Sequence, residues 1–148
     1  MRQGRSLSPA SLLGVLVAAG MSIGCDGPAR RESEQLLTAV ERFRRADNAS
    51  KPGVVVAIRS SPCSAPEVCA AREACLSAAE ATGNALALKS EVEQGLAALE
   101  KGALAKDSPE AQALPGKLDV AEALLKQGHE GLGPCEERLD ALRRRYRL

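Results

Sequence analysis

Apolar residues in the C-terminal half of this chain recur at steps of three and four, the period of one helix face. From Pro66 the row Val68, Ala71, Cys75, Ala78, Thr82, Ala85, Leu88, Val92, Leu96, Leu99 and Ala103 never misses that step. It predicts one helix from Pro66 to about Ala105, roughly 60 Å long at 1.5 Å per residue. Asp107-Ser108-Pro109-Glu110 then reads as a turn, with Ser108 as N-cap and Pro109 at the first helical position. A second row follows: Leu114, Leu118, Ala121, Leu125, Gly128, Leu132, Cys135, Leu139, Leu142 and Tyr146. Pro115-Gly116 and Gly131-Leu132-Gly133-Pro134 fall inside it and predict kinks or breaks, although the apolar phase carries through both. Upstream, Leu36, Leu37, Val40 and Phe43 predict an amphipathic helix over residues 28–47. The β-branched stretch Gly53–Ile58 favours a strand, but the chain offers no second strand to pair with it. A short helix or an extended connector is therefore expected there, followed by a loop from Ser60 to Pro66.

The two long rows can be laid antiparallel about the turn near Ala105, so that paired residues have numbers summing to about 210. Leu96 then meets Leu114, Val92 meets Leu118, Ala85 meets Leu125, Thr82 meets Gly128 and Ala78 meets Leu132. Cys75 meets Cys135 across the same seam. This register predicts a Cys75–Cys135 disulfide, with Cys63 left to pair with Cys69. Four cysteines allow three connectivities, and a shift of register at Pro115 would favour another of them.

Composition agrees with helices and warns of a thin core. Ala, Leu, Glu, Arg, Lys and Gln dominate, and these are the strongest helix formers. Phe43 and Tyr146 are the only aromatic residues, and Trp is absent. Ala buries little surface, so a crosslink closing a loop of about 60 residues would be a large stabilising contribution, about 4 kcal/mol on chain-entropy grounds. The expected fold is all-α: a long, disulfide-pinned antiparallel helical hairpin over residues 66–148, preceded by an additional N-terminal helix and connector over residues 25–65.

The first 24 residues differ in character. Arg2 and Arg5 precede an apolar run from Leu12 to Ile23 that ends in small residues, the layout of a secretory signal peptide. About 12 residues are too few for a spanning helix, which needs about 20. The segment Ser22-Ile23-Gly24-Cys25 resembles the lipobox of bacterial lipoproteins. That resemblance implies cleavage before Cys25, lipid on its thiol and a membrane-anchored envelope protein. Ser22 departs from the pattern, where Leu is usual. The alternative is ordinary cleavage in Ala18-Ala19-Gly20, giving a soluble secreted protein. Cysteine parity favours the lipid reading: of five cysteines, Cys63, Cys69, Cys75 and Cys135 can pair, and Cys25 is the odd one out. Asp26, next to the lipidated position, leans towards inner-membrane retention in some Gram-negative bacteria and leaves the choice of membrane open.

No residue set points to catalysis. Cys63, Cys69 and Cys75 lack the spacing of zinc ligands, and residues six apart on a helix do not share a face. His129, the only histidine, has no nucleophile near it in sequence and reads as an exposed loop residue beside a helix break. The carboxylates, Glu91, Glu93, Glu136 and Glu137 among them, read as solvated helix faces with basic neighbours. Removing residues 1–24 takes away Arg2 and Arg5, so 20 Lys+Arg become 18 against 19 Asp+Glu, a balance of −1 that gives no invitation to nucleic acid. No cofactor or metal site is expected.

Charge does gather at the C-terminus, where Arg143, Arg144, Arg145 and Arg147 fall in the last six residues. Cations suit a helix C-terminus, and the same cluster would suit an anionic partner such as lipid headgroups, a cell-wall polymer or an acidic protein. The tail from Arg138 resembles the end of the murein lipoprotein family, which finishes in a similar Arg-Leu-Asp…Tyr-Arg run. That family joins the cell wall through a terminal Lys, whereas Leu148 stands here, and it has no place for four paired cysteines. Covalent attachment to peptidoglycan is not implied. The expectation is a non-enzymatic envelope lipoprotein, an adaptor or structural protein held to the membrane by Cys25. The alternative is a binding module for a small ligand or metal near Gly128–Gly133.

Overall fold

The computed structural model describes residues 26–148. The expected signal peptide, the lipobox and Cys25 lie outside the described residues. Among them four helices follow in order: α1 (Asp26–Arg45), α2 (Lys51–Arg59), α3 (Pro66–Glu100) and α4 (Pro109–Tyr146), with no strand. The all-α expectation holds, and the β-branched stretch is helical. Pro52 sits at the start of α2, while Val55 and Ile58 turn inward against the larger core.

Helices α3 and α4 form the antiparallel hairpin in the expected register. A Cβ on Gly95 would touch Leu114, one on Gly131 would touch Ala78, and one on Gly128 would touch Thr82. Lys117 bridges to Glu91 at 2.6 Å. Cys75 and Cys135 are bonded across the seam, with Cα atoms 4.6 Å apart, and Cys63 is bonded to Cys69.

Helix α3 stops at Glu100, five residues short of the expected end. Gly102, at φ 67°, takes the left-handed conformation that favours glycine. The Ala103 amide donates to the Ala98 carbonyl and the Gly102 amide to Leu99, which closes the helix with a Schellman motif. Helix α4 opens as expected, with the Ser108 hydroxyl accepting from the Ala111 amide at 3.2 Å.

The expected breaks at Pro115-Gly116 and Gly131–Pro134 are absent: α4 is one helix of 38 residues, about 57 Å long. Both prolines are exposed on its outer side. The carbonyls they deprive of a helical partner, on Ala111 and Glu130, belong to residues that retain access to water, so the cost is small enough for seam packing to override. His129 is exposed as expected, but it stands on this helix and not in a loop.

The core gathers at one end of the hairpin. Leu36, Val40 and Phe43 of α1, Val55 and Ile58 of α2, Val68, Ala71 and Cys75 of α3, and Cys135, Leu139, Leu142 and Tyr146 of α4 form one cluster. Full burial of an aliphatic side chain such as Leu36, Ile58 or Leu139 stabilises by about 2 kcal/mol. Chain direction follows from the polar contacts. The Ser64 amide donates to Glu32 at 2.7 Å near the start of α1, whereas Arg44, in its last turn, pairs with Glu136. So α1 runs parallel to α3 from the base outward. Helix α2 then returns, with Val55 against Gly83 and Arg59 bonded to Glu80 at 2.7 Å.

The outer half of the hairpin carries a correction to the expected seam. Leu114, Ala121, Gly128 and Cys135 are buried, but Leu96, Leu118, Leu125 and Leu132 stand about half exposed. The small residues opposite one another bring the helix axes so close that the leucines flank the seam.

Candidate functional site

The base of the bundle is where charge and the N-terminal end of α1 come together. Glu67, in the first turn of α3, accepts from the Tyr146 hydroxyl at 2.6 Å and pairs with Arg145 at 3.1 Å. This ties the end of α4 to the start of α3. The bond from Tyr146 holds the Glu67 carboxyl below its usual range. Burial pushes the Tyr146 phenol up, and the hydrogen bond to Glu67 adds to it. The Ser64 amide likewise holds Glu32 below the usual carboxylate range, which fixes the loop carrying Cys63 against α1. The Cys63–Cys69 bond closes that loop onto the first turn of α3, as the sequence predicts.

The four expected arginines lie on the last turn of α4 and just past it, but they do not act as one group. Arg143 pairs with Asp140 at 2.6 Å, and Arg145 pairs with Glu67. Among the described residues Arg144 and Arg147 make no ion pair, and both are exposed. Arg147 has φ 54°, and the Leu148 amide donates back to the Arg143 carbonyl, so the helix ends in a left-handed turn. Arg30 and Arg31 of α1 stand at the same end, since Glu32 touches Ser64 just ahead of α3. Of these, Arg30 is engaged with Glu34. Sequence proximity finds the C-terminal cluster. It misses Arg30 and Arg31, which join that end only because α1 runs parallel to α3.

No constellation for catalysis or metal binding stands out among the described residues. No three His, Cys, Asp or Glu side chains gather as a metal group. The groove between α1 and the end of α2 is wide open, and the Ser60 and Ser61 hydroxyls at its edge already donate to the Val56 and Ala57 carbonyls. At Gly128–Gly133, the alternative ligand position, Gly128 and Gly131 face Thr82 and Ala78 at contact distance. Those two glycines permit close helix approach; they do not open a pocket. No helix among the described residues is long and apolar enough to cross a membrane. No protein family, curated protein or solved structure matches this chain.

Proposed function

We propose that this chain is a non-enzymatic envelope lipoprotein, anchored through lipid on Cys25, that presents a long helical hairpin as an adaptor or structural element. The observation that carries the reading is the pairing of the other four cysteines. Cys63–Cys69 and Cys75–Cys135 account for every described cysteine. Of the five in the sequence, Cys25 is then the one left for another chemistry. Two disulfides also suit an oxidising compartment outside the cytoplasm. The placement of α1 supports the same reading. Its helix starts at Asp26, directly after Cys25, and at the end of the bundle that bears Arg144 and Arg147. A lipid on Cys25 would bring those arginines near anionic headgroups, where each basic residue contributes about 1 kcal/mol.

The test is mass spectrometry of the N-terminal peptide from protein extracted from membranes. A peptide beginning at Cys25 and carrying acyl chains is the expected result. An unmodified N-terminus at Met21, after cleavage at Ala18-Ala19-Gly20, would overturn the reading.

A further inference from the structure

We propose that the outer half of the hairpin is the seat of a second copy of this chain, packed antiparallel about Leu125. Two rows of α4, each repeating every seven residues, face towards the rest of the fold. The row Leu114, Ala121, Gly128, Cys135 and Leu142 is buried along the whole helix. The adjacent row, Leu118, Leu125, Leu132, Leu139 and Tyr146, has larger side chains and a divided fate. Leu139 and Tyr146, at the base beside α1, are 0% and 5% exposed. Helix α1 ends at Arg45, and Arg44 in its last turn pairs with Glu136. Leu132 stands one turn further out, and there the cover stops. Leu132, Leu125 and Leu118 are 45%, 44% and 51% exposed.

The row keeps its chemistry where it loses its cover. A leucine every seventh residue stays on one side of a helix in a left-handed pair, so what fits over it is another long helix of the same period. The patch continues the seat of α1 outward in the same groove, but α1 itself turns back as α2 and cannot fill it.

The second copy fits because the row is its own complement. About a two-fold axis at Leu125, an antiparallel approach sets Leu118 against Leu132 of the second copy and Leu125 against its equivalent. Glu122 and His129, both exposed and seven residues apart, flank this row on one side. The same symmetry brings Glu122 beside His129 of the second copy, with the carboxylate accepting from an imidazole N–H, and the contact occurs twice. A parallel approach does not bring these two residues onto a common flank. In the antiparallel dimer the two bases lie at opposite ends, with the two Tyr146 positions about 63 Å apart. Two lipid anchors in one bilayer would hold such a dimer lying along the surface. Dimer formation itself does not depend on the anchor.

The test uses residues 25–148 with Cys25→Ser and both disulfides formed, since the described core lies wholly within that span. Light scattering over a dilution series is expected to give twice the chain mass at the upper concentrations. Leu125→Glu is expected to raise the dimer dissociation constant at least about thirtyfold, because each copy loses a central apolar contact. Its circular dichroism should be unchanged, because Leu125 is half exposed in the single chain. Short thiol crosslinking sets the direction: Leu125→Cys should link to itself, whereas Leu118→Cys should link to Leu132→Cys and neither to itself. A single-chain mass at every concentration would overturn the proposal. So would a dimer indifferent to Leu125→Glu, or self-linking at all three positions, which would mean a parallel pair.

Discussion

Gly128→Ala is the sharpest probe of how the hairpin closes. In the interior of a helix this change ordinarily stabilises by up to about 1 kcal/mol, because alanine is the better helix former. Gly116 meets that condition, since it is exposed within α4 and a Cβ there has nothing within 4 Å. At Gly128 the added carbon would lie 2.4 Å from the Thr82 hydroxyl and 3.2 Å from both the Ala78 carbonyl oxygen and the Thr82 amide nitrogen. The hydroxyl is held by a 2.9 Å bond to the Ala78 carbonyl, and a β-branched side chain on a helix has few rotamers to escape into. Even if it turned, two backbone atoms of α3 would remain in the way. The helices must therefore move apart, against the Cys75–Cys135 bond two turns away. Overpacking of this kind costs about 1–3 kcal/mol, and the propensity gain is common to both changes, so Gly128→Ala should fall about 1–3 kcal/mol below Gly116→Ala. Urea unfolding of both variants under non-reducing conditions measures the gap, and at a few °C per kcal/mol it should also separate their melting temperatures. Adding Thr82→Ala to Gly128→Ala should recover part of the loss, as expected for two residues in contact. If Gly128→Ala stabilises as much as Gly116→Ala, the two helices are not in close contact at this seam position.

The remaining expectations concern the crosslinks and the base. Replacing Cys75 and Cys135 together by alanine should cost about 4 kcal/mol and replacing Cys63 and Cys69 about 2 kcal/mol, because the loops closed span 60 and 6 residues. Equal losses in urea unfolding would refute that ordering. Glu67 is held below its usual range, so its contribution is present above the ordinary carboxylate pKa and is lost as pH falls through the lowered folded value. Tyr146 is raised, so its contribution is complete below its ordinary value of 10.0 and is lost as pH rises through the raised one. Tyr146→Phe should therefore flatten the melting temperature against pH at both extremes, and an unaltered profile would count against the Glu67–Tyr146 bond.

Much of the fold is legible in the sequence because the three-and-four step is a direct projection of helix geometry. The antiparallel register followed from the same step, and Cys75 facing Cys135 tested it, since the two cysteines occupy seam positions on both rows. The breaks that the prolines predict do not form, for a physical reason. Pro115 and Pro134 each remove one amide, but they face outward, where water can satisfy the stranded carbonyls, and the seam side of α4 is uninterrupted. Glycine has a related double meaning: Gly131 falls in a stretch that predicts a break, yet it acts as clearance for α3, as Gly128 does at its expected seam position opposite Thr82. What the sequence conceals is how many helices share each level of the bundle. Periodicity assigns Leu118 and Leu139 to the same face, but only the route of α1 decides which of them is covered. The base shows the same limit, since Arg30 and Arg31 join the C-terminal arginines only through the direction α1 takes.

That uneven cover explains where the crosslink sits. Below Cys75–Cys135, α1 and the end of α2 join the hairpin around Leu36, Ile58, Leu139 and Leu142, all nearly inaccessible to solvent, and the start of α2 covers α3 outward to Gly83. Beyond α2, the α3–α4 seam closes on Ala85, Val92, Leu114, Ala121 and Gly128, of which only Val92 and Leu114 bury a sizeable side chain. Apolar burial scales with area, so the outer half is the weaker by a wide margin and would open first from the Gly102 turn. The Cys75–Cys135 bond, two turns inward of Gly83, keeps such opening from spreading into the base, since the two helices cannot separate past it. It does nothing for Leu118, Leu125 and Leu132, which stay wet in the single chain. An outer half held at one end by a disulfide, and lined along its length by leucines that nothing covers, is built to be completed by contact with another helix.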